Sequence, residues 1–133
     1  MAERPARFNL RPPSGDPLFT SWAKATTGAA FFLLFAGGMV TSTGSGLSVP
    51  DWPLSFGGMN PPMIGGIFYE HGHRLIAGTV ACRTLGLLIL SRRSAVPSGA
   101  RTATVLASVG IILQALLGGL TVLLKLPPAV SMS

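Results

Sequence analysis

The chain has 133 residues, of which 48% are hydrophobic and only 11% charged, and its mean hydropathy is +0.55. Soluble domains carry about 25% charged residues, so this composition excludes an ordinary soluble protein and indicates an integral membrane protein with three or four spans of about 20 residues each. The net charge of +6 comes from basic residues that flank apolar stretches, which favours membrane orientation over nucleic-acid binding.

The N-terminal part of the sequence divides into a polar tail and a first apolar span. Residues 1–24 are polar and proline-rich, which predicts a disordered tail that ends near an interfacial tryptophan, Trp22. A cleaved signal peptide is not expected, because its apolar core would lie much nearer the first residue. Residues 25–43 are long and apolar enough to form the first transmembrane helix.

The rest of the chain alternates loops with apolar spans. Residues 44–69 are predicted to form an outer loop, because Gly, Pro and aromatic residues are frequent there and basic residues are absent. Two more transmembrane helices are predicted at 70–91 and 102–125, separated by a basic loop at 92–101. Residues 126–133 contain Pro-Pro and then resemble the start of a helix, so we expect an outer loop that leads to a fourth helix outside this chain. The predicted fold is an all-α integral membrane bundle.

Positive charge lies on one side of this predicted topology. The N-terminal tail and the 92–101 loop are basic, whereas the 44–69 loop has no basic residue. By the positive-inside rule, the tail and the 92–101 loop face the cytoplasm, and residues 44–69 lie outside the cell membrane. The basic residues concerned are Arg4, Arg7, Arg11, Lys24, Arg92, Arg93 and Arg101.

Four ionisable side chains stand at the head of the second span, where charge is costly and therefore indicates a functional site. They are Glu70, His71, His73 and Arg74. On a helix, Glu70 lies one turn from His73 and Arg74, while His71 points elsewhere. A neutral imidazole at the mouth of a bundle is a standard axial ligand of haem iron, so His73 is a candidate ligand, and Arg74 could reach a haem propionate. The spacing fits equally well an interfacial ion pair with both histidines at a helix end.

Three other residues interrupt the apolar spans. Arg83 could extend to the interface, contact a cofactor or neutralise a buried acid in a segment outside this chain, and we favour the buried acid. Gln114 could hydrogen-bond to another helix or to a ligand, and the nearby Gly118 and Gly119 allow close helix packing. The only cysteine, Cys82, excludes an intrachain disulfide and a CxxC metal site.

Three segments, taken in order, resemble the haem A synthase family. They read VTSTGSGLSVPDWPL at 40–54, YEHGHR at 69–74 and QALLGGLTV at 114–122. The resemblance spans residues 25–133 and implies the N-terminal half of an eight-helix protein, whose two four-helix bundles each hold a haem between two histidines. This chain would then be an incomplete four-helix bundle. The resemblance also implies oxidation of a methyl group of haem O to the formyl group of haem A, with water as the oxygen source, for terminal oxidases.

The resemblance implies roles for individual residues. His73 matches the first axial histidine and would bind the iron, and Glu70 matches the catalytic carboxylate. The segment Asp51-Trp52-Pro53 matches an outer loop that covers the haem edge. The candidate cofactor-binding residues are therefore Arg74, Asp51 and Trp52, together with Gln114 from the third segment.

Two departures from the family pattern limit which properties of the family are expected of this chain. Residues 44–69 lack the cysteine pair that some members have in this loop, so no thiol-dependent step is expected. The second axial histidine of this half would follow the Leu-Pro-Pro-Ala-Val-Ser segment, beyond Ser133. We therefore expect the chain alone to bind haem weakly, or with five-coordinate iron, and not to turn over.

The implied ligands and partners are haem O as substrate, haem B in the full-length protein, membrane lipid, haem O synthase and the C-terminal half. Nucleic acid is not among them. Two other functions are compatible with the residues. The chain could be a non-catalytic cytochrome b that carries electrons, with His73 holding a permanent haem, or a structural or assembly protein without a cofactor.

Overall fold

The computed structural model describes residues 15–93 and 95–125, which form three α-helices. They are α1 at Pro17–Ser42, α2 at Gly66–Leu90 and α3 at Ser98–Leu123. All three are long and apolar enough to cross a membrane, and the described residues contain no strand beyond one isolated bridge between Ser55 and Gly58. The structure therefore confirms the predicted all-α fold with three membrane-spanning helices.

Helix α1 begins earlier than its apolar segment. The Asp16 carboxylate accepts hydrogen bonds from the backbone N–H groups of Leu18 at 2.9 Å and Phe19 at 3.3 Å, and Pro17 occupies the first helical turn. Acidic N-caps and a proline in the first turn both favour a helix start. Residues 17–24 are therefore helical, although the sequence predicted a disordered tail there. The Arg93 side chain, which hydrogen-bonds Asp16 at 3.1 Å, lowers the pKa of this carboxyl group.

The other two helices also begin about one turn before their predicted starts. Helix α2 begins at Gly66 rather than at residue 70, so the loop predicted at 44–69 ends at Gly65, whose positive φ of 55° suits glycine. Helix α3 begins at Ser98, directly after Pro97, rather than at residue 102. The predicted outer loop at 126–133 lies outside the described residues.

Helix α2 lies in the middle and packs against both α1 and α3. Trp22 near the start of α1 packs against Gly86 near the end of α2, and Gly37 near the end of α1 packs against His73 near the start of α2. The two helices are therefore antiparallel. At the end of α2, the Arg101 guanidinium donates a hydrogen bond to the Ser91 carbonyl oxygen at 2.9 Å, which joins α2 to α3.

The outer surfaces of the bundle are strongly apolar. Large side chains such as Phe31, Phe35 and Leu106 are 66–70% exposed in the isolated chain. Because helices this long expose such surfaces only where lipid or other apolar helices cover them, the chain is a multi-pass membrane protein.

Candidate functional site

The loop between α1 and α2 folds over the first turns of α2, and we call residues 44–65 the cap loop. The Val49 N–H donates a hydrogen bond to Glu70 Oε2 at 2.8 Å. Arg74 Nη1 donates to the carbonyl oxygens of Asp51 at 2.6 Å and Leu54 at 2.8 Å. Glu70 and Arg74, at the head of α2, therefore bind the backbone of the cap loop.

Glu70 and Arg74 form an ion pair with 2.6 Å between Oε1 and Nη2, as their spacing on a helix predicts. Glu70 is only 3% exposed, and both of its oxygens accept a hydrogen bond. The two terminal amino groups of Arg74 contact four acceptors in all, the fourth being the Val49 carbonyl oxygen at 3.4 Å. Because a guanidinium has five N–H donors, these contacts leave the Nε–H of Arg74 to bind a propionate.

His71 lies on the opposite side of α2 from His73, because two residues correspond to about 200° of rotation. Its ring is buried, and its Nδ1 shares a hydrogen bond of 2.8 Å with Ser55 Oγ in the cap loop. His71 is therefore a second anchor of this loop. Sequence reasoning missed it because the partner is a serine in an irregular loop, and no periodic pattern relates the two residues.

The His73 ring packs against α1 at Gly37. An added Cβ at Gly37 would lie only 3.2 Å from His73 Cε1 and 3.6 Å from Nδ1, so the ring occupies the space that a side chain would take. The Nδ1 atom is buried and has no hydrogen-bond partner in the described part of the chain. Because buried polar atoms are nearly always paired, this imidazole is suited to a ligand.

Asp51 closes the cap loop on itself. Its carboxylate accepts hydrogen bonds from the N–H groups of Gly57 and Phe56, each at 2.7 Å. The Gly57 contact, assisted by Phe56 and by the charge of Arg74, lowers the pKa of Asp51. Asp51 thus sets the shape of the loop, and its carboxylate oxygens bind backbone groups in the structure.

Trp52 joins the cap loop to α3. Its ring packs so closely on Gly119 that an added Cβ there would lie 2.6 Å from the indole. At the neighbouring Gly118, an added Cβ would meet nothing within 4 Å. The cap loop is therefore fixed to α2 by polar contacts and to α3 by an aromatic contact.

A groove of about 430 Å³ runs along the bundle further from the cap loop. Its floor on α2, formed by Val80, Thr84 and Leu87, follows the same helix face as His73. Gln114 lies on its α3 wall and lines the same groove as Val80, which follows Arg74 by six residues, or about 9 Å along the helix axis. The structure therefore places Gln114 apart from the other predicted site residues. The remaining lining residues are Thr26, Thr27, Ala30, Ala107, Gly110 and Ile111.

The described residues contain no group of three or more His, Cys, Asp and Glu side chains placed to hold a bare metal ion. A porphyrin supplies four nitrogen ligands to its iron, so it needs only an axial imidazole from the protein. Within the described ranges, His73 provides an imidazole of this kind.

Comparison with known proteins identifies the family. A protein named Heme A synthase from Bacillus licheniformis is 35% identical over 99 residues, which are 73% of this chain. A protein of the same name from Bacillus pumilus is 34% identical over 73% of the chain. Another from Caulobacter vibrioides is 32% identical over 80% of the chain. The chain belongs to the haem A synthase family.

The match covers only part of each relative. The chain spans about a third of the length of these haem A synthases, 33% or 34%, which is consistent with the predicted correspondence to an N-terminal half. No family model matches the chain, and no solved structure matches it.

Proposed function

We propose that this chain is the substrate-binding half of a haem A synthase, in which His73 is an axial ligand of haem O. The porphyrin methyl group would be oxidised to the formyl group of haem A, with water as the source of the oxygen atom and an electron acceptor outside this chain. The observation that carries the proposal is the placement of His73, whose ring fills the space beside Gly37 and whose buried Nδ1 has no partner in the described residues. Family membership supplies the class of reaction.

The residues at the site fit a haem. Gly37 leaves room for the imidazole of His73, and the α2 face that continues from His73 is apolar at Val80 and Leu87, as a porphyrin plane favours. When bound, haem supplies the redox chemistry, while the protein supplies placement and charge. His73 would hold the iron, and the cap loop would exclude water from the outer end of the bundle through its contacts with α2 and α3.

Glu70 is the proposed catalytic carboxylate, and the structure favours a role through its charge. Both oxygens are engaged, one by Arg74 and one by the Val49 N–H, so the carboxylate is held in place one turn before His73. A fixed negative charge stabilises positive charge that develops on a nearby reacting group. Proton removal would require one of the remaining lone pairs on its oxygens.

The proposed arrangement in the cell follows from charge. The α1 start, the α2 end and the α3 start carry Lys24, Arg92, Arg93 and Arg101, so this end of the bundle would face the cytoplasm and the cap loop would lie outside the cell membrane. Haem O would come from haem O synthase. A C-terminal half that binds haem B would complete the enzyme and serve assembly of the terminal oxidase.

Haem titration of the purified chain tests the proposal. We expect a Soret shift that is lost in His73→Ala and retained in His71→Gln, because His71 hydrogen-bonds Ser55 and lies on the side of α2 opposite His73. Equal haem affinity in the parental chain and His73→Ala would contradict the axial assignment. Loss in both variants together with loss of helix content would indicate unfolding, so circular dichroism accompanies each titration.

The catalytic assignment needs the chain together with its C-terminal half. In membranes that make haem O, we expect Glu70→Ala to retain bound haem and to yield no formyl product, whereas Glu70→Asp retains part of the activity. Extraction and chromatography of the bound porphyrin provide the measurement. Haem B as the sole porphyrin in the parental protein would instead favour an electron-carrying cytochrome.

A further inference from the structure

Arg83 lies inside α2 and is stacked on a tryptophan of α1. Its guanidinium carbon is 4.6 Å from the centroid of the Trp22 ring, and the Trp22 indole N–H donates a hydrogen bond to the Arg83 carbonyl oxygen at 2.9 Å. The Nε atom of Arg83 is buried and has no hydrogen-bond partner in the described residues. The Trp22 ring therefore holds the guanidinium in one orientation. This stacking provides no hydrogen-bond acceptor for Nε.

The described carboxylates are all engaged elsewhere. Asp16 pairs with Arg93 at 3.1 Å, Glu70 pairs with Arg74, and Asp51 accepts hydrogen bonds from its own loop. Within residues 15–93 and 95–125, Arg83 therefore has no ion pair. A cation inside a membrane-spanning helix is expensive without an anionic partner, so this position calls for one.

The position of Arg83 along α2 indicates where that anion would come from. Arg83 precedes the last residue of the helix, Leu90, by seven residues, or about 10 Å, and its stacking partner Trp22 follows the first residue of α1, Pro17, by five residues. Both residues therefore lie in the part of the bundle where α1 begins and α2 ends. Arg83 follows His73 by ten residues, or about 15 Å along the axis, so a haem held by His73 would lie at the other end.

The surrounding charge favours an anionic lipid. The end of the bundle nearest Arg83 carries four other cations, and Asp16 is the one carboxylate described there. An end of this charge faces an anionic leaflet, and basic pockets between membrane helices bind phospholipid headgroups. The four cations are Lys24, Arg92, Arg93 and Arg101.

We propose that Arg83, oriented by Trp22, binds the phosphate of an anionic phospholipid at the α1–α2 interface. The planar guanidinium presents its terminal N–H groups to phosphate oxygens, and the indole fixes its plane. The lipid would fasten the start of α1 to the end of α2. This site is independent of haem and does not depend on the role of His73.

Lipid retention by the purified chain tests the site. The chain is extracted from vesicles of equal parts phosphatidylglycerol and phosphatidylcholine, and the retained lipids are counted by native mass spectrometry. We expect preferential retention of phosphatidylglycerol by the parental chain and about a fivefold lower preference in Arg83→Gln. The matched control is Arg92→Gln, which removes the same charge from an exposed position and should leave the preference within about twofold.

Two further variants distinguish lipid binding that depends on the geometry of Arg83 and Trp22 from binding that depends on net charge alone. Arg83→Lys keeps the charge but loses the planar fork, and Trp22→Leu keeps every charge but loses the stacking surface, so both should lower the preference. Circular dichroism confirms that each variant keeps its helices, and Trp22→Leu still tests the site if Arg83→Gln does not fold.

Several results would overturn the proposal. They are equal retention of the two lipids by the parental chain, an equal loss of preference in Arg83→Gln and Arg92→Gln, and full preference in Trp22→Leu. Displacement of phosphatidylglycerol by inorganic phosphate, but not by chloride at the same ionic strength, would assign the site to free phosphate and overturn the lipid assignment. Resistance to both salts supports the lipid.

Discussion

The imidazole of His73 lies against the backbone of Gly37, with Cε1 only 3.2 Å from the point where a Cβ would stand. A residue of α1 thus fixes the ring of the proposed haem ligand on α2. This contact makes Gly37 a positioning residue, because any side chain there would compete with the imidazole for space.

The first prediction follows from this contact. Gly37→Ala should push the His73 ring aside by a few tenths of an ångström and weaken haem binding by about tenfold, since overpacking costs about 1–3 kcal/mol. Gly38→Ala is the matched control, because an added Cβ there meets nothing within 4 Å and the gain in helix propensity is the same. Soret titration measures both. Equal affinities in the two variants would show that Gly37 does not position the ring.

The second prediction concerns the contact between the cap loop and α3. Gly119→Ala would place a Cβ 2.6 Å from the Trp52 indole, so the ring must move and the loop should detach from α3, at a cost of about 1–3 kcal/mol. Gly118→Ala should leave the loop in place, because its Cβ faces open space. Thermal unfolding and limited proteolysis of the cap loop provide the measurements, and similar cleavage rates in both variants would contradict the contact.

The sequence predicted the helices well because apolar length alone determines which segments can cross a membrane. It also predicted that Glu70 and Arg74 meet, since helical spacing places residues i and i+4 together. The sequence does not predict the start of α1, because the Asp16-Pro17 cap follows a proline-rich stretch whose composition is typical of a disordered tail. The proline-rich composition of the tail therefore hides the helix-start signal of Asp16 and Pro17.

Contacts between the cap loop and the helices could not be predicted from the sequence. Arg74 binds the carbonyl oxygens of Asp51 and Leu54, and His71 binds Ser55, across 16 to 23 residues of irregular chain. Such contacts depend on the path of a loop rich in Gly and Pro, which has no periodicity to interpret. Spacing identified the chemically important residues, and only the structure shows which of them bind each other.

The third prediction compares the two ion pairs found among the described residues, Glu70–Arg74 and Asp16–Arg93. Arg74→Met removes four hydrogen bonds and leaves Glu70 buried without its cation, so it should destabilise the fold by about 3 kcal/mol. Arg93→Met removes a pair whose arginine side chain is 52% exposed, so its effect should be much smaller. Thermal unfolding in one detergent ranks the variants. Equal melting temperatures would mean that the Glu70–Arg74 pair does not hold the cap loop.

The fourth prediction is that acid releases the cap loop through Asp51. Hydrogen bonds from Gly57 and Phe56 lower the pKa of Asp51 in the folded chain, so the carboxylate stabilises the loop fully above its ordinary pKa of about 3.9. That contribution is lost as the pH falls through the lower pKa of the folded state. Fluorescence of Trp52, next to Asp51, should therefore change on acidification below about pH 4.

Asp51→Asn is the reference for this acid transition. The amide oxygen can accept only part of the two backbone hydrogen bonds, so the variant should show the released loop already at neutral pH. It keeps Asp16, whose pKa is also lowered, so an acid transition that remains in Asp51→Asn comes from a group other than Asp51. An unchanged acid transition in Asp51→Asn would exclude Asp51 as the group that holds the cap loop closed.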